Sequence, residues 1–331
     1  MKRMTLRMAI LFRLSVLFAV IGIALLPVFA MAEEGGSGHY LPGSMASFVD
    51  SVPLKETFLT RLNMIYYNGS LGATKPLPIG GQTALGAEAT SWGLGLTILW
   101  RPPLDLGERW SYAMSATIPY LWMDVSADVS ATLPHGAHGA VSRSSSTDSL
   151  GDIVLMPLML NYNVNPDFNM NFRVGVYAPT GSYEVGRLAN TGKNFWTIEP
   201  VLGLIYFGQK NGIEASMFVG IDFNTENKDT DYKSGKQFHV DGTLAQHFPL
   251  FGGLAGAGVS GYYYKQVTGD SGSGATLGDF KGKTSGIGPV VSYTKNVGGH
   301  DTVFELKWLH ELDTENRLEG DIVWLKAVYK F

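Results

Sequence analysis

Imidazole is the side chain whose ordinary titration lies closest to neutral pH and is the commonest metal ligand, so the histidines come first. They stand at His39, His135, His138, His239, His247, His300 and His310, and no HExxH is formed. His135 and His138 share a Gly- and Ser-rich stretch, where a weak surface metal site is the most they could make. The absence of cysteine excludes zinc fingers, iron–sulfur clusters, thiol catalysis, a disulfide scaffold and a lipidated N-terminus. Gly272-Ser-Gly-Ala-Thr-Leu-Gly278 fails the dinucleotide pattern, because Leu277 stands where a glycine is required. Gly282-Lys283-Thr284 fails the phosphate-loop pattern at the same position. No GxSxG and no His-x-Ser-Asn-Gly is present. The expectation is no catalytic residue, no cofactor, no metal and no enzyme. A net charge of −4 gives no support to nucleic-acid binding.

The remaining polar residues are ordered by a period of two. In Phe168–Ala178 one face carries Phe168, Met170, Phe172, Val174, Val176 and Ala178; the other carries Asn169, Asn171, Arg173, Gly175 and Tyr177. Ile213–Asn224 divides in the same way, with Glu214, Ser216, Asp222 and Asn224 on its wet face. Side chains alternate across a strand, so each segment has one apolar and one polar side. The polar sides collect Arg61, Asn63, Arg173, Glu199, Glu214, Asp222, His239, Asp241, Glu305, Lys307, Lys326 and Lys330. Charges facing inward need water or partners, so the interior is either a polar conduit or a paired network.

Twelve segments carry the pattern: 57–67, 88–100, 110–125, 150–164, 168–178, 194–207, 213–224, 236–248, 254–267, 283–295, 302–312 and 317–331. Several exceed ten residues, the length a tilted strand needs to cross hydrocarbon. Connectors alternate in size. Those at 68–87, 123–148, 179–193, 225–235 and 268–282 are long and polar; those at 101–109, 165–167, 208–212, 249–253 and 296–301 are short. That phase is characteristic of an outer-membrane barrel. Aromatic residues gather near segment ends, among them Tyr66, Tyr67, Trp92, Trp110, Trp122, Phe195, Tyr262, Tyr264, Trp324 and Tyr329, and read as an interfacial girdle. The chain ends on an alternating strand with Phe331 last, a pattern expected to engage the barrel-assembly machinery. The fold class is therefore all-β: a transmembrane antiparallel up-and-down barrel of about twelve strands, surrounded by outer-membrane lipid.

Residues 1–32 read as a signal peptide. Lys2, Arg3, Arg7 and Arg13 precede an apolar run to Ala30, and Ala30-Met31-Ala32 suits cleavage after Ala32. The alternative is an N-terminal membrane anchor. Residues 33–56 then form a short segment ahead of the barrel at 57–331. It is long enough to enter the lumen as a hatch, and could equally be a periplasmic tail.

Several stretches together resemble the outer-membrane proteins named for the meta-cleavage pathway of phenol degradation. They are Glu34 through Gly43, Asn190 through Pro200, Asp222 through Asn227, Thr230 through Gly235, Gly269 through Ala275, Gly286 through Pro289 and Glu311 through Arg317. The resemblance implies a channel or transporter for small apolar or aromatic solutes, and brings no catalytic residues. Together with the inward charges it marks His39, Tyr40, Arg61, Arg173, Asn194, Glu199, Asp222, Asn224, Glu226, Asp231, Tyr232, Lys233, Asp270, Glu305 and Lys307 as candidate ligand or pore residues. For the loop residues the alternative is that they fix turns. For the whole chain the alternatives are a lipid hydrolase on the barrel wall and a structural or adhesive surface barrel.

Overall fold

In the computed structural model of the chain, the structure describes residues 34–132, 138–278 and 280–331. The expected signal peptide and His135 lie outside the described residues. Fourteen strands follow in order: β1 (Thr57–Ser70), β2 (Pro76–Ile79), β3 (Gln82–Arg101), β4 (Trp110–Thr132), β5 (His138–Leu150), β6 (Ile153–Asn165), β7 (Phe168–Ala178), β8 (Thr197–Phe207), β9 (Ile213–Asn224), β10 (Gln237–Leu250), β11 (Gly253–Gln266), β12 (Lys283–Val297), β13 (His300–Glu315) and β14 (Glu319–Lys330). Twelve of them close a ring of antiparallel neighbours, in which β3 pairs with β4, β4 with β6, and β14 with β1. The closing pair sets Asn63 opposite Lys326 and Met64 opposite Leu325. Closure leaves no open edge along the ring, which hydrocarbon would not tolerate.

The two further strands lie in stretches expected to be loops. β2 pairs only with the start of β3. β5 pairs with the outer half of β4, from Tyr120–Leu150 to Thr132–His138, and carries that hairpin beyond the ring. Its Ser-rich sequence lacks a greasy face, so periodicity gave no sign of a strand there. Cross-strand hydrogen bonds hold the pair instead, as from the Tyr120 hydroxyl to Asp148 at 2.9 Å. At the opposite rim the strands turn tightly. Gly298-Gly299 and Phe251-Gly252 both take positive φ at two successive positions, the conformation that a two-residue hairpin turn requires.

Outside, the barrel is apolar. Phe172, Ile198, Leu202, Met217, Leu244, Val259, Val291 and Leu306 are all exposed. Aromatic pairs edge this belt, including Tyr66–Trp92 with ring centroids 4.5 Å apart and Trp110–Tyr162 at 4.8 Å. Such a surface is stable only against lipid, which places the protein in the outer membrane. Part of the expected girdle is elsewhere. Phe195, Tyr262, Tyr264 and Trp324 are buried inside. Alternation turns them inward, where all but Phe195 pack around Tyr40; Trp324 also lies midway along β14 rather than near its end.

Candidate functional site

Residues 34–56 run through the barrel from the long-loop rim to the short-turn rim. Between Glu34 and Lys55 the sequence has a single Asp, Glu, Lys or Arg, Asp50, among mostly small and apolar residues. A segment so poor in charge can enter the lumen at little desolvation cost. Two 3-10 turns, Glu34–Gly36 and Phe48–Asp50, mark its ends. At the top, Glu34 accepts hydrogen bonds from the Gly81 amide (3.0 Å), the Tyr183 hydroxyl (2.9 Å) and Asn227 (3.2 Å). His39 lies 2.7 Å from the Thr197 hydroxyl and 2.9 Å from Asp152, with its ring stacked on Tyr177. The Tyr40 hydroxyl donates to Asp241 at 2.8 Å, and the Gly43 amide donates to the same carboxylate at 2.7 Å. The Gly43 and Ser44 carbonyls accept from Lys307 and Lys326, each at 2.7 Å. The Ser47 hydroxyl donates to Glu305. At the bottom, Glu214 accepts from the Phe48 amide at 2.8 Å and lies 2.8 Å from His247.

Asp50 is the hub. Arg61 reaches one oxygen at 2.7 Å, and Lys326 contacts both at 2.8 Å. Arg173 donates to its backbone carbonyl at 2.8 Å. Both cations come from the two strands that close the ring, β1 and β14, so one carboxylate ties the segment across that seam. At Asp152, burial is outweighed by His39 and by the Gly181 and Lys193 amides, and its titration is lowered.

These contacts answer the choice between a polar conduit and a paired network. Arg173, Glu199, Glu214, Asp222, His239, Asp241, Glu305, Lys307 and Lys326 are all buried. Most are spent on one another or on the inserted segment, so the inward charges do not line an open polar passage. The open space is on the other side. Between the segment and the wall of β1, β3, β4, β6 and β14 lies a cavity of about 330 Å³. Tyr40, Leu41, Pro42 and Met45 bound it on the segment; Ile65, Ser91, Gly93, Thr117, Leu121, Met123, Val154, Met156 and Trp324 bound it on the wall. Its lining is mainly apolar, with Arg61, Asp152, Glu311 and Arg317 at the boundary.

Of the residues expected to form a pore or ligand site, His39, Tyr40 and Arg61 border this cavity. Arg173, Glu305 and Lys307 fasten the inserted segment. Glu199 and Asp222 stand with His239 in a buried group whose ligand-type atoms lie within 4.8 Å of one another, a set able to hold a metal ion. Asn224 accepts from Thr197 at 2.6 Å and donates to the Gly235 carbonyl at 3.0 Å, closing a strand end. The rest organise loops. Asn194 and Asp231 take positive φ. Asn194 donates to Asn227 at 2.8 Å, and the Tyr232 hydroxyl donates to Asp270. Lys233 forms a bridge with Ser271. Glu226, Asp231 and Lys233 are exposed on the loop surface. Asp50 and Asp152 were not singled out by sequence. Asp50 carried a usable signal in its isolation, whereas Asp152 meets His39 only through the fold.

Residues 75–327, well over half of the chain, match the family described as "Putative MetA-pathway of phenol degradation". The chain belongs to this family. Its fold is similar to that of an outer membrane channel from Pseudomonas putida F1, with a TM-score of 0.60 and 16% identity, over 88% of this chain and 100% of that one. Looser likenesses link it to the beta domain of the Bordetella autotransporter BrkA (TM-score 0.45, 10% identity, 83% of this chain and 99% of that one). A FadL homologue from Pseudomonas aeruginosa is similarly distant (TM-score 0.41, 8% identity, 92% and 97%). No curated protein matches the chain in sequence. The family and the twelve-stranded barrel agree with the expectations drawn from the residues.

Proposed function

We propose that the protein carries small apolar or aromatic molecules across the outer membrane, through the space between the inserted segment and the β1–β3–β4–β6 wall. The observation that carries this reading is the apolar cavity of about 330 Å³. A dry cavity of about 150 Å³ accepts benzene in a protein core, so a single-ring solute fits with room to move. Apolar solutes cross the sugar-coated outer leaflet poorly, and a mainly apolar lining favours them over ions. The inserted segment acts as a plug, held to the charged side of the wall, and narrows the route to solutes that tolerate contact with its apolar side. The P. putida protein similar in fold is an outer membrane channel, which agrees with this reading.

Reconstituted liposomes test it. Vesicles holding the barrel should take up labelled toluene or phenol faster than empty vesicles. Removal of residues 34–53 should add permeability to ions and sugars. Uptake no faster than in empty vesicles, by both the intact and the shortened barrel, overturns the proposal.

A further inference from the structure

We propose that Glu199, Asp222 and His239 form a binding site for a divalent transition-metal ion, Zn²⁺ as the probe, within the barrel wall beneath Tyr40. The three lie on consecutive strands β8, β9 and β10, and each is 0% exposed. His239 Nε2 is 3.0 Å from Glu199 Oε1 and 3.8 Å from Asp222 Oδ1. Ligands bound tetrahedrally at about 2.1 Å are spaced by about 3.4 Å, between those two distances. The donor set is one imidazole and two carboxylates, which suits zinc, manganese or iron in the divalent state.

A second observation points to an ion. Glu199 Oε1 and His239 Nε2 make no hydrogen bond, although they are 3.0 Å apart. They are close but misaligned for a bond to each other, as two donors directed at a shared centre would be. Each side chain is meanwhile oriented through its other atom. The Tyr177 hydroxyl donates to Glu199 Oε2 at 2.8 Å, and Asp241 lies 3.4 Å from His239 Nδ1. Carboxylate–imidazole and hydroxyl–carboxylate contacts of this kind fix metal ligands in place. The backbone is cut to fit. A Cβ at Gly220 would lie 2.3 Å from His239 Nε2, and one at Gly175 would lie 2.8 Å from Glu199 Oε2. With Asp241, three carboxylates surround one imidazole, and Asp241 is in turn held by the Tyr40 hydroxyl and the Gly43 amide of the plug. The Tyr40 ring stacks on His239 with centroids 3.9 Å apart, so the plug covers the site.

The rival account is that His239 is itself the cation, held between the carboxylates without metal. Metal content decides between them, and this readout does not depend on solute transport. The full barrel, stripped with chelator in detergent, is incubated with Zn²⁺, desalted and analysed for bound metal. Heat-shifted migration in SDS gels confirms that each sample is folded. The expected result is about one equivalent for the wild type, falling about tenfold or more in Glu199→Gln and His239→Gln. His247→Gln, which alters the other buried His–Glu pair, should keep the full equivalent. Folded wild type that retains less than about a tenth of an equivalent overturns the proposal, as does His239→Gln binding as much as the wild type.

Discussion

Asp50 is where the plug is most exposed to a single change. Its carboxylate satisfies both Lys326 and Arg61. Removing one partner of a buried ion pair costs about 3–5 kcal/mol, because the other charge stays buried. Asp50→Asn should therefore loosen the plug without opening the ring, seen as added conductance in planar bilayers with unchanged heat-shifted migration. Acid should do the same to the wild type. A protonated Asp50 is neutral and no longer balances Lys326 and Arg61, so the docked segment is weakened as the carboxylate takes up a proton. Conductance should rise on acidification in the wild type, and this acid response should shrink in Asp50→Asn.

At the scale of elements, the strands are set by which solvent each face meets. Leu202 lies midway along β8, with its side chain on the lipid face. Leu202→Arg should cost about 2–4 kcal/mol of folding into bilayers, measured by urea titration of the inserted barrel. The last strand carries a separate expectation. Phe331 is 61% exposed, and its amide donates to the Phe58 carbonyl at 3.0 Å. At that exposure its ring adds little to the closed ring, and it meets the rings of Phe58 and Tyr329. We propose that it serves assembly. Phe331→Ala should lower the amount of barrel reaching the outer membrane in cells, while the purified chain refolds as the wild type does.

For the whole molecule, the lumen is divided lengthwise. One half is charged and committed to holding the plug; the other is apolar and open. The division predicts where bulk matters. Ser91 borders the cavity from β3, and Ser91→Trp should fill part of it and reduce uptake of apolar solutes several-fold, measured in the liposome assay. Ser91→Ala should leave uptake unchanged. Equal uptake by the Trp variant would place the route elsewhere.

The sequence by itself determined the solvent, the twelve-stranded architecture and the two faces of the regularly alternating strands. Period two, strand length and loop phase are local quantities, and hydrocarbon imposes them residue by residue. β7 and β9 were legible to the last residue, because both have an unbroken alternation between clear turns. β5 was not, because a hairpin in water needs no greasy face. The occupant of the lumen was also beyond reach. Residues 34–56 show only low charge and many small side chains, which permit insertion but name no partner. Tertiary structure alone decided that Asp50 meets Lys326, that Tyr40 meets Asp241, and that Glu199, Asp222 and His239 converge. Those meetings join residues from distant parts of the chain, and they depend on the register and closure of the ring rather than on any short pattern.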